Sequence, residues 1–237
     1  MTAEHLLALS AVVAVAAFVQ GTIGVGFALI VAPVLGLLEP SLLPVGVLML
    51  MVPLNLYVAW RERPSIDRGG AGWITAGRVV GTAGGVWVLA ALSTGALSIF
   101  VGVSILAAVL ATLAMPAFAP SRHALVGAGL VTGITETATG VGGPPLALVY
   151  QHQPVPVMRA TIALCFLLGE LVSLLVLSVT GRVGAAEFQG AALLLPALVA
   201  GGLLSRFMHH RVNGRLMRTL VLVFAAVSAI ALLAKGL

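Results

Sequence analysis

Charged residues are scarce in this sequence. Only 8% of its 237 residues are Asp, Glu, Lys or Arg, whereas an ordinary soluble domain carries about 25%. Hydrophobic residues make up 60% of the chain, and the mean hydropathy is +1.17. These values exclude an ordinary soluble domain, and the sequence predicts an all-α polytopic membrane protein.

Cysteine and clustered basic residues are also lacking. With one cysteine, Cys165, the chain can form no internal disulfide and offers no cysteine metal site. The 12 Lys and Arg residues outnumber the 7 Asp and Glu residues, but no basic cluster is interleaved with aromatic residues. This argues against nucleic-acid binding. In a membrane protein the basic excess instead indicates topology, because Lys and Arg are enriched in cytoplasmic loops.

No catalytic or cofactor-binding set can be assembled at membrane depth. The neighbours His209 and His210 would point in different directions on a helix and lie in a basic loop, so we expect a solvated surface there. The glycines at 24–26 lack the strand and the paired acidic residue of a dinucleotide-binding fingerprint. The sequence therefore predicts no enzyme, no metal site and no cofactor.

A polar, glycine-rich island at 134–145 interrupts an otherwise apolar stretch. Glycine and proline are the poorest helix formers, so we expect the backbone to unwind there. The Gly-Val-Gly tripeptide of the island, at 140–142, recurs at 24–26, and Gln20 then falls opposite Glu136. Irregular backbone in lipid must line a cavity, and two broken helices at matching positions point to a transporter binding site.

Hydropathy divides the chain into two similar halves. The first, 1–115, is predicted to hold a broken hairpin at 5–38, with partial helices at 5–19 and 27–38, and spans at about 42–60, 70–92 and 94–114. A linker at 116–122 follows. The second half, 123–237, repeats this order with a hairpin at 123–151 and spans at about 158–180, 188–206 and 216–234.

The basic residues predict that both broken segments turn back as re-entrant hairpins. Full crossing would divide the loop charges six against five, whereas turning back places nine on one side: Arg61, Arg63, Arg68, Arg122, Arg159, Arg206, Arg211, Arg215 and Arg218. Each half then has a hairpin and three spans. An odd number of crossings makes the halves inverted repeats, with both termini outside a bacterial-type inner membrane.

Three ionisable residues fall clearly at membrane depth, namely Arg78, Glu136 and Glu170. Charges are costly there, so such residues are functional candidates by default. Arg78 is predicted to bind a substrate anion through its guanidinium fork; the alternatives are an ion pair with either glutamate or snorkelling to the interface. Each glutamate is a candidate for carrying a coupling proton. The structural alternatives are a cap on unwound amides or a bond to Arg78 for Glu136, and a buried hydrogen bond for Glu170.

The predicted substrate site combines the two glycine segments with nearby polar residues. Broken helices expose N-terminal amides whose dipoles favour anions, and threonine hydroxyls add donors. The predicted substrate-binding residues are Gln20, Gly21, Thr22, Gly24, Gly26, Asn55, Arg78, Thr137, Thr139, Gly140, Gly142, Gly143 and Pro144. The alternative for the glycines is close helix packing, and for Asn55 a hydrogen bond between helices.

These segments resemble the TauE/SafE family of membrane permeases, which is associated with export of sulfite and organosulfonates. The resemblance rests on residues 18–27 followed by Pro33, on 133–145, and on the layout in two halves, and it covers nearly the whole chain. It implies an inner-membrane secondary carrier for a small, often sulfur-containing anion. It does not identify the substrate.

We therefore expect a secondary transporter that moves a small anion outward, with sulfite or an organosulfonate as the first candidate. Alternating access would occur at a midplane site between the two broken helices. The open alternative is a carrier of another solute class, such as a metal cation or a carboxylate. The partners expected are the anion and the lipid bilayer, while the coupling ion, a proton or sodium, and a homodimeric state stay open.

Overall fold

The structure, a computed structural model, describes residues 1–114, 121–151, 153–208 and 214–236. Within these ranges every regular element is helical, with short 3-10 turns at Pro40–Leu42 and Arg63–Ser65. The α-helices are α1 (Ala3–Ile23), α2 (Phe27–Leu38), α3 (Val45–Arg61), α4 (Arg68–Ala91), α5 (Thr94–Ala114), α6 (Arg122–Thr139), α7 (Gly143–Tyr150), α8 (Val155–Val179), α9 (Ala185–Met208) and α10 (Gly214–Gly236). Most of the predicted linker and the His209-His210 pair lie outside the described residues.

Four of the described helices are long and apolar enough to cross a membrane, namely α1, α4, α8 and α9. Three of them overlap the spans predicted at 70–92, 158–180 and 188–206. The fourth, α1, is longer than the partial helix predicted at 5–19, because Gln20 to Ile23 continue the helix. This makes the first arm of the hairpin as long as a full span.

Within the described residues of each hairpin, the helix is interrupted at its Gly-Val-Gly tripeptide. Gly24 and Gly140 end α1 and α6 with left-handed φ angles of 87° and 79°. Their amides donate to the carbonyls of Gln20 and Glu136, respectively, in the same helix-ending arrangement. The prediction that the backbone unwinds throughout 134–145 is therefore wrong: the left-handed conformation, which glycine adopts without steric cost, is confined to the break, and the flanking residues remain helical.

Each broken helix pair folds back, so that its first and last turns lie at one end of the bundle. His5 in the first turn of α1 lies with its Nδ1 2.9 Å from Oε1 of Glu39, directly after α2. At the other end, Arg122 at the start of α6 lies 5.6 Å from the Trp73 ring of α4. Tyr150, at the end of α7, donates a 2.8 Å hydrogen bond to the aspartate that caps α4.

The helix contacts repeat between the two halves. Helix α4 packs along α6, as α9 packs along α1, and α5 lies against α7, as α10 lies against α2. Helix α4 also contacts α8, as α9 contacts α3, and the contacts of α3 with α8 and of α5 with α10 join matching helices. Exchanging α1 to α5 with α6 to α10 leaves this set of contacts unchanged.

Glycines allow α4 and α6 to approach closely. A side chain at Gly77 or Gly81 of α4, or at Gly129 of α6, would clash with a backbone carbonyl of the other helix. Gly201 of α9 is in the same position against α1. Small residues at helix contacts are the usual means of close packing in membranes. The close contact brings side chains on the facing sides of α4 and α6 within bonding distance.

Candidate functional site

Arg78 of α4 and Glu136 of α6 form an ion pair in the protein interior. Arg78 is 1% exposed and Glu136 is fully buried. The Nη2 of Arg78 donates to Oε2 of Glu136, and its Nη1 donates to the backbone carbonyl of Cys165 on α8 at 2.9 Å. The ion pair that the sequence left as an alternative to anion binding is therefore present.

Two glycines make room for this ion pair. A Cβ at Gly142 would lie 2.9 Å from Oε2 of Glu136, and one at Gly169 would clash with the guanidinium of Arg78. The ring of Phe166 lies 5.5 Å from Cζ of Arg78, within the range of a cation–π contact. The predicted site residue Gly142 thus lies directly against the carboxylate of the pair.

A second set of polar side chains connects the first helix break to α3 and α8. The amide of Phe27, the first residue of α2, donates to Oε1 of Gln20 at 3.0 Å. Gln20 Nε2 donates to Oδ1 of Asn55 at 3.2 Å, and Asn55 Nδ2 donates to Oε1 of Glu170 at 2.7 Å. The buried hydrogen bonds considered as alternatives for Asn55 and Glu170 are both present.

We call Gln20, Asn55, Arg78, Glu136 and Glu170 the central polar cluster. Three of its buried atoms have no hydrogen-bond partner among the described residues: Arg78 Nε, Glu136 Oε1 and Glu170 Oε2. An unsatisfied buried polar group costs about 1–3 kcal/mol and is unusual in folded proteins. Their concentration on the three charged residues marks the cluster as a candidate functional site.

The cluster holds one guanidinium and two carboxyl groups. With both glutamates ionised its net charge is −1, and a proton on either one makes it neutral. Charge repulsion is strong in a buried site because the effective dielectric constant is low. This repulsion disfavours the state in which both carboxyl groups are ionised and favours a proton on one of them.

The threonines that were predicted to donate to substrate are bonded within the protein. Thr22 and Thr139 each donate to the carbonyl four residues earlier in their own helix, at 2.6 and 2.7 Å. The hydroxyl of Thr137 lies 2.7 Å from that of Ser173 on α8. In this structure these hydroxyls stabilise helix ends and one helix contact.

The helix starts after the breaks offer few unbound amides. Phe27 N at the start of α2 is bonded to Gln20, and α7 begins Gly143-Pro144-Pro145, whose prolines carry no N–H. Gln20 and Glu136 lie four residues before Gly24 and Gly140, about one helical turn. Each break therefore positions one residue of the central polar cluster, Gln20 or Glu136. The charge of the candidate site comes from side chains of this cluster and not from free backbone amides.

Several predicted glycines have packing or turn roles instead. Gly21 packs against Ser205 of α9, and Gly140 lies near Val47 of α3. Gly26, Gly143 and Pro144 come together around a small, mainly apolar cavity of about 40 Å³ between the two hairpins. This cavity is separate from the charged side chains, so the structure divides the predicted site residues into two groups.

Arg159 and Glu62 form a partly buried contact that the sequence does not predict. Arg159 donates through Nε and Nη2 to the two carboxylate oxygens of Glu62, at 2.8 and 2.7 Å, and through Nη1 to the carbonyl of Thr22 at 3.0 Å. Its side chain also covers Gly24. The charge count places Arg159 among the loop charges, although it lies inside the span predicted at 158–180. The sequence indicates that the Arg159 side chain is buried only through this position, one residue inside the predicted span.

A polar cavity of about 390 Å³ opens at the other end of α8, with Ser41, Arg182 and Glu187 in its lining. An apolar layer borders this cavity on the side of the central polar cluster, and three of its residues, Val45, Leu89 and Leu177, line the cavity. The layer consists of Val45, Leu48, Leu89, Ala138 and Leu177, which pack together. Along α4, Arg78 is followed by Leu89 at the edge of the cavity. Along α8, Glu170 is followed by Leu177 at the same edge. The apolar layer thus lies between the central polar cluster and this end of the bundle. The Arg159–Glu62 contact lies on the opposite side of the cluster.

Comparison with known proteins identifies one family. The family model described as sulfite exporter TauE/SafE matches residues 9–232. The matched range contains both helix breaks and all five residues of the central polar cluster. No curated protein and no solved structure matches the chain. Among the described residues, no group of three His, Cys, Asp or Glu side chains is placed to hold a metal ion.

Proposed function

Because the chain belongs to the TauE/SafE sulfite exporter family, we propose that it exports sulfite or an organosulfonate across the bacterial inner membrane. The family is one of membrane transporters rather than enzymes, and the four long apolar helices agree with a membrane location. The proposal adds to this the substrate, the direction and the alternating-access mechanism.

The buried guanidinium of Arg78 is the observation that carries the proposal. Sulfite and sulfonates present several oxygens around a central sulfur, and the planar fork of arginine binds such oxygens through parallel hydrogen bonds. Arg78 is almost fully buried, and its Nε has no partner among the described residues. The amides of Gln20 and Asn55 and the glycine backbone at 142–143 complete the proposed binding set.

The repeated helix contacts support an inverted-repeat architecture. Each half contributes one folded-back pair and three further helices, so the second half enters the membrane in the opposite sense. Arg61, Arg122 and Arg159 gather at the end where α4 begins, which we assign to the cytoplasm. A cysteine introduced at Ser65 should then react from the cytoplasm and one at Ala185 from outside, in a Cys165→Ala background. The reverse pattern would refute this orientation.

Two barriers around the central polar cluster support alternating access. The Arg159–Glu62 contact and the bond to Thr22 close the proposed cytoplasmic side. The apolar layer closes the side that carries the 390 Å³ cavity. In the proposed mechanism the two barriers open in turn as the halves rock against each other.

Transport by purified protein in proteoliposomes tests the proposal. Vesicles loaded with radiolabelled sulfite or methanesulfonate should release it faster than protein-free vesicles, and a proton gradient should change the rate. Release no faster than from protein-free vesicles for both anions would contradict the proposed substrate class.

The excess of carboxyl groups in the cluster favours a second candidate, a carrier of a cation. Such a carrier would require Glu136 and Glu170 and would be indifferent to the loss of the Arg78 charge. Uptake of radiolabelled sodium or a divalent metal into the same vesicles distinguishes the two candidates. Cation uptake that survives Arg78→Gln, without anion release, would favour the second one.

A further inference from the structure

Glu136 occupies the side of Arg78 that a substrate anion would need. We propose that the Glu136 carboxylate is an internal competitor for Arg78, so that a sulfonate binds only when Glu136 takes up a proton and releases the guanidinium. This inference rests on the proposed function and deepens it, because it assigns the coupling step to one residue and gives its stoichiometry.

The surroundings of Arg78 leave few other places for an anion. Its Nη1 is bonded to the carbonyl of Cys165, Gly169 lies against the guanidinium, and Phe166 approaches it at 5.5 Å. Its Nε has no partner among the described residues, but the neighbouring Nη2, which a bidentate anion would use together with Nε, donates to Oε2 of Glu136. A bidentate oxyanion on this fork would therefore displace the carboxylate of Glu136.

The first helix break shows where a neutral Glu136 side chain can bond. Gln20 matches Glu136 in position and is an uncharged analogue of a protonated glutamate. It accepts from the amide of Phe27, the first residue after its break. The matching amide in the second break belongs to Gly143, next to Gly142, where an added Cβ would lie 2.9 Å from Oε2 of Glu136. A protonated Glu136 can therefore turn from Arg78 toward the start of α7.

Charge balance requires the proton to accompany the anion. The groups facing Glu136 are Arg78 from α4 and Glu170 and Cys165 from α8. Helix α5 has no titratable residue, and Tyr150, at the far end of α7, is bonded to the cap of α4. When one proton moves to Glu136 and one monovalent anion moves to Arg78, the net charge of the cluster is unchanged. Without the proton, the anion would bring a third negative group into a buried site that already holds two carboxylates, and the net charge would become −2.

The competition makes the carrier a cotransporter of one proton with each monovalent sulfonate. Both ligands leave together, after which Glu136 re-forms its ion pair with Arg78 and the unloaded carrier can return. Transport is then electroneutral, and its direction follows the sum of the anion and proton gradients. Export occurs when the outward anion gradient exceeds the inward proton gradient.

Proton uptake on binding is the decisive measurement. Methanesulfonate is the probe, because it is the anion of a strong acid and does not itself titrate near neutral pH, unlike sulfite. Calorimetric titrations of the full-length protein in detergent, in buffers with different ionisation enthalpies, count the protons bound. We expect one proton per anion for the wild type at a pH where Glu136 is ionised, and an affinity that falls about tenfold per pH unit there.

Three variants assign this proton to a residue. Glu136→Gln should bind methanesulfonate without proton uptake and without the pH dependence. Glu170→Gln changes the other buried carboxyl group; its bond to Asn55 makes a change in affinity expected, but the uptake of one proton per anion should persist. Glu4→Gln, which alters an exposed carboxylate in the first turn of α1, should match the wild type.

The outcomes separate the inference from the proposed function. Binding by the wild type without proton uptake, or uptake lost in Glu170→Gln and kept in Glu136→Gln, overturns the inference and leaves anion transport standing. Absence of both binding and vesicle release overturns the two together. If Glu136→Gln does not fold, infrared difference spectra of the wild type replace it: methanesulfonate should produce a protonated-carboxyl band, which Glu136→Asp should shift, and no such band would also overturn the inference.

Discussion

The two helix breaks share a backbone geometry but differ in the chemistry around them. Both are Gly-Val-Gly, and both begin with a left-handed glycine that bonds to the carbonyl four residues earlier. One turn before the glycine, however, the first break has the neutral Gln20 and the second has Glu136, paired with Arg78. Helix α9, which packs along α1 as α4 packs along α6, has no charged residue between Glu187 and Arg206. The two halves therefore repeat their helix contacts, but the Arg78–Glu136 ion pair lies at the second break and the first break has no such pair.

Among the variants that test the difference between the two breaks, Arg78→Ala should have the largest effect on transport and on stability. Arg78→Ala leaves Glu136 buried without its charged partner, which in other proteins costs about 3–5 kcal/mol. We expect loss of detectable sulfonate release from vesicles and a marked fall in thermal stability in detergent.

The double variant Arg78→Ala/Glu136→Ala separates stability from function. Because the double variant removes the carboxylate that Arg78→Ala leaves unpaired, while Glu170 keeps its bond to Asn55, thermal stability should recover in part and transport should stay absent. The exposed Arg63→Gln serves as the control for loss of an arginine. Normal release by the double variant would remove Arg78 from the substrate site.

Alanine at the helix-ending glycines should have a smaller effect that is similar in the two halves. Left-handed backbone costs a residue with a Cβ roughly 1–2 kcal/mol, so Gly24→Ala and Gly140→Ala should each lower the free energy of unfolding by at least that amount. Their neighbours should add further cost, since a Cβ would lie 2.9 Å from Arg159 Cγ at Gly24 and 3.0 Å from Val47 Cβ at Gly140. Denaturant unfolding in detergent measures both. A loss at one glycine alone would show that the two breaks are not equivalent.

The sequence located the breaks and the buried charges but left their extent and pairing open. The Gly-Val-Gly repeat marked both interruptions, because few other residues accept a positive φ. The unwound region was predicted too long, since packing keeps Gln20 to Ile23 and Ile134 to Thr139 helical. Arg78 was recognised by the cost of a charge in lipid. Its ion pair depends on the close contact of α4 with α6, which no local pattern contains.

The polar contacts between distant residues were the least predictable. Gln20, Asn55 and Glu170 lie on three helices, and nothing near any one of them in sequence indicates the others. The charge count places Arg159 among the loop charges. The predicted start of a hydrophobic span does not show whether an arginine near it points to solvent or to a carboxylate. Its contact with Glu62 is set by how α3 and α8 cross.

By itself the sequence determined the membrane class, the family and the positions at which two helices must break. These follow from local properties: hydropathy over about 20 residues, and the backbone freedom of glycine. Only the tertiary structure decided that Arg78 is held by Glu136, that Gln20 is joined through Asn55 to Glu170, and that the broken backbone surrounds side chains rather than an open anion site. The reason is physical: a buried charge must find a partner, and which partner is within reach depends on the packing of helices far apart in the chain.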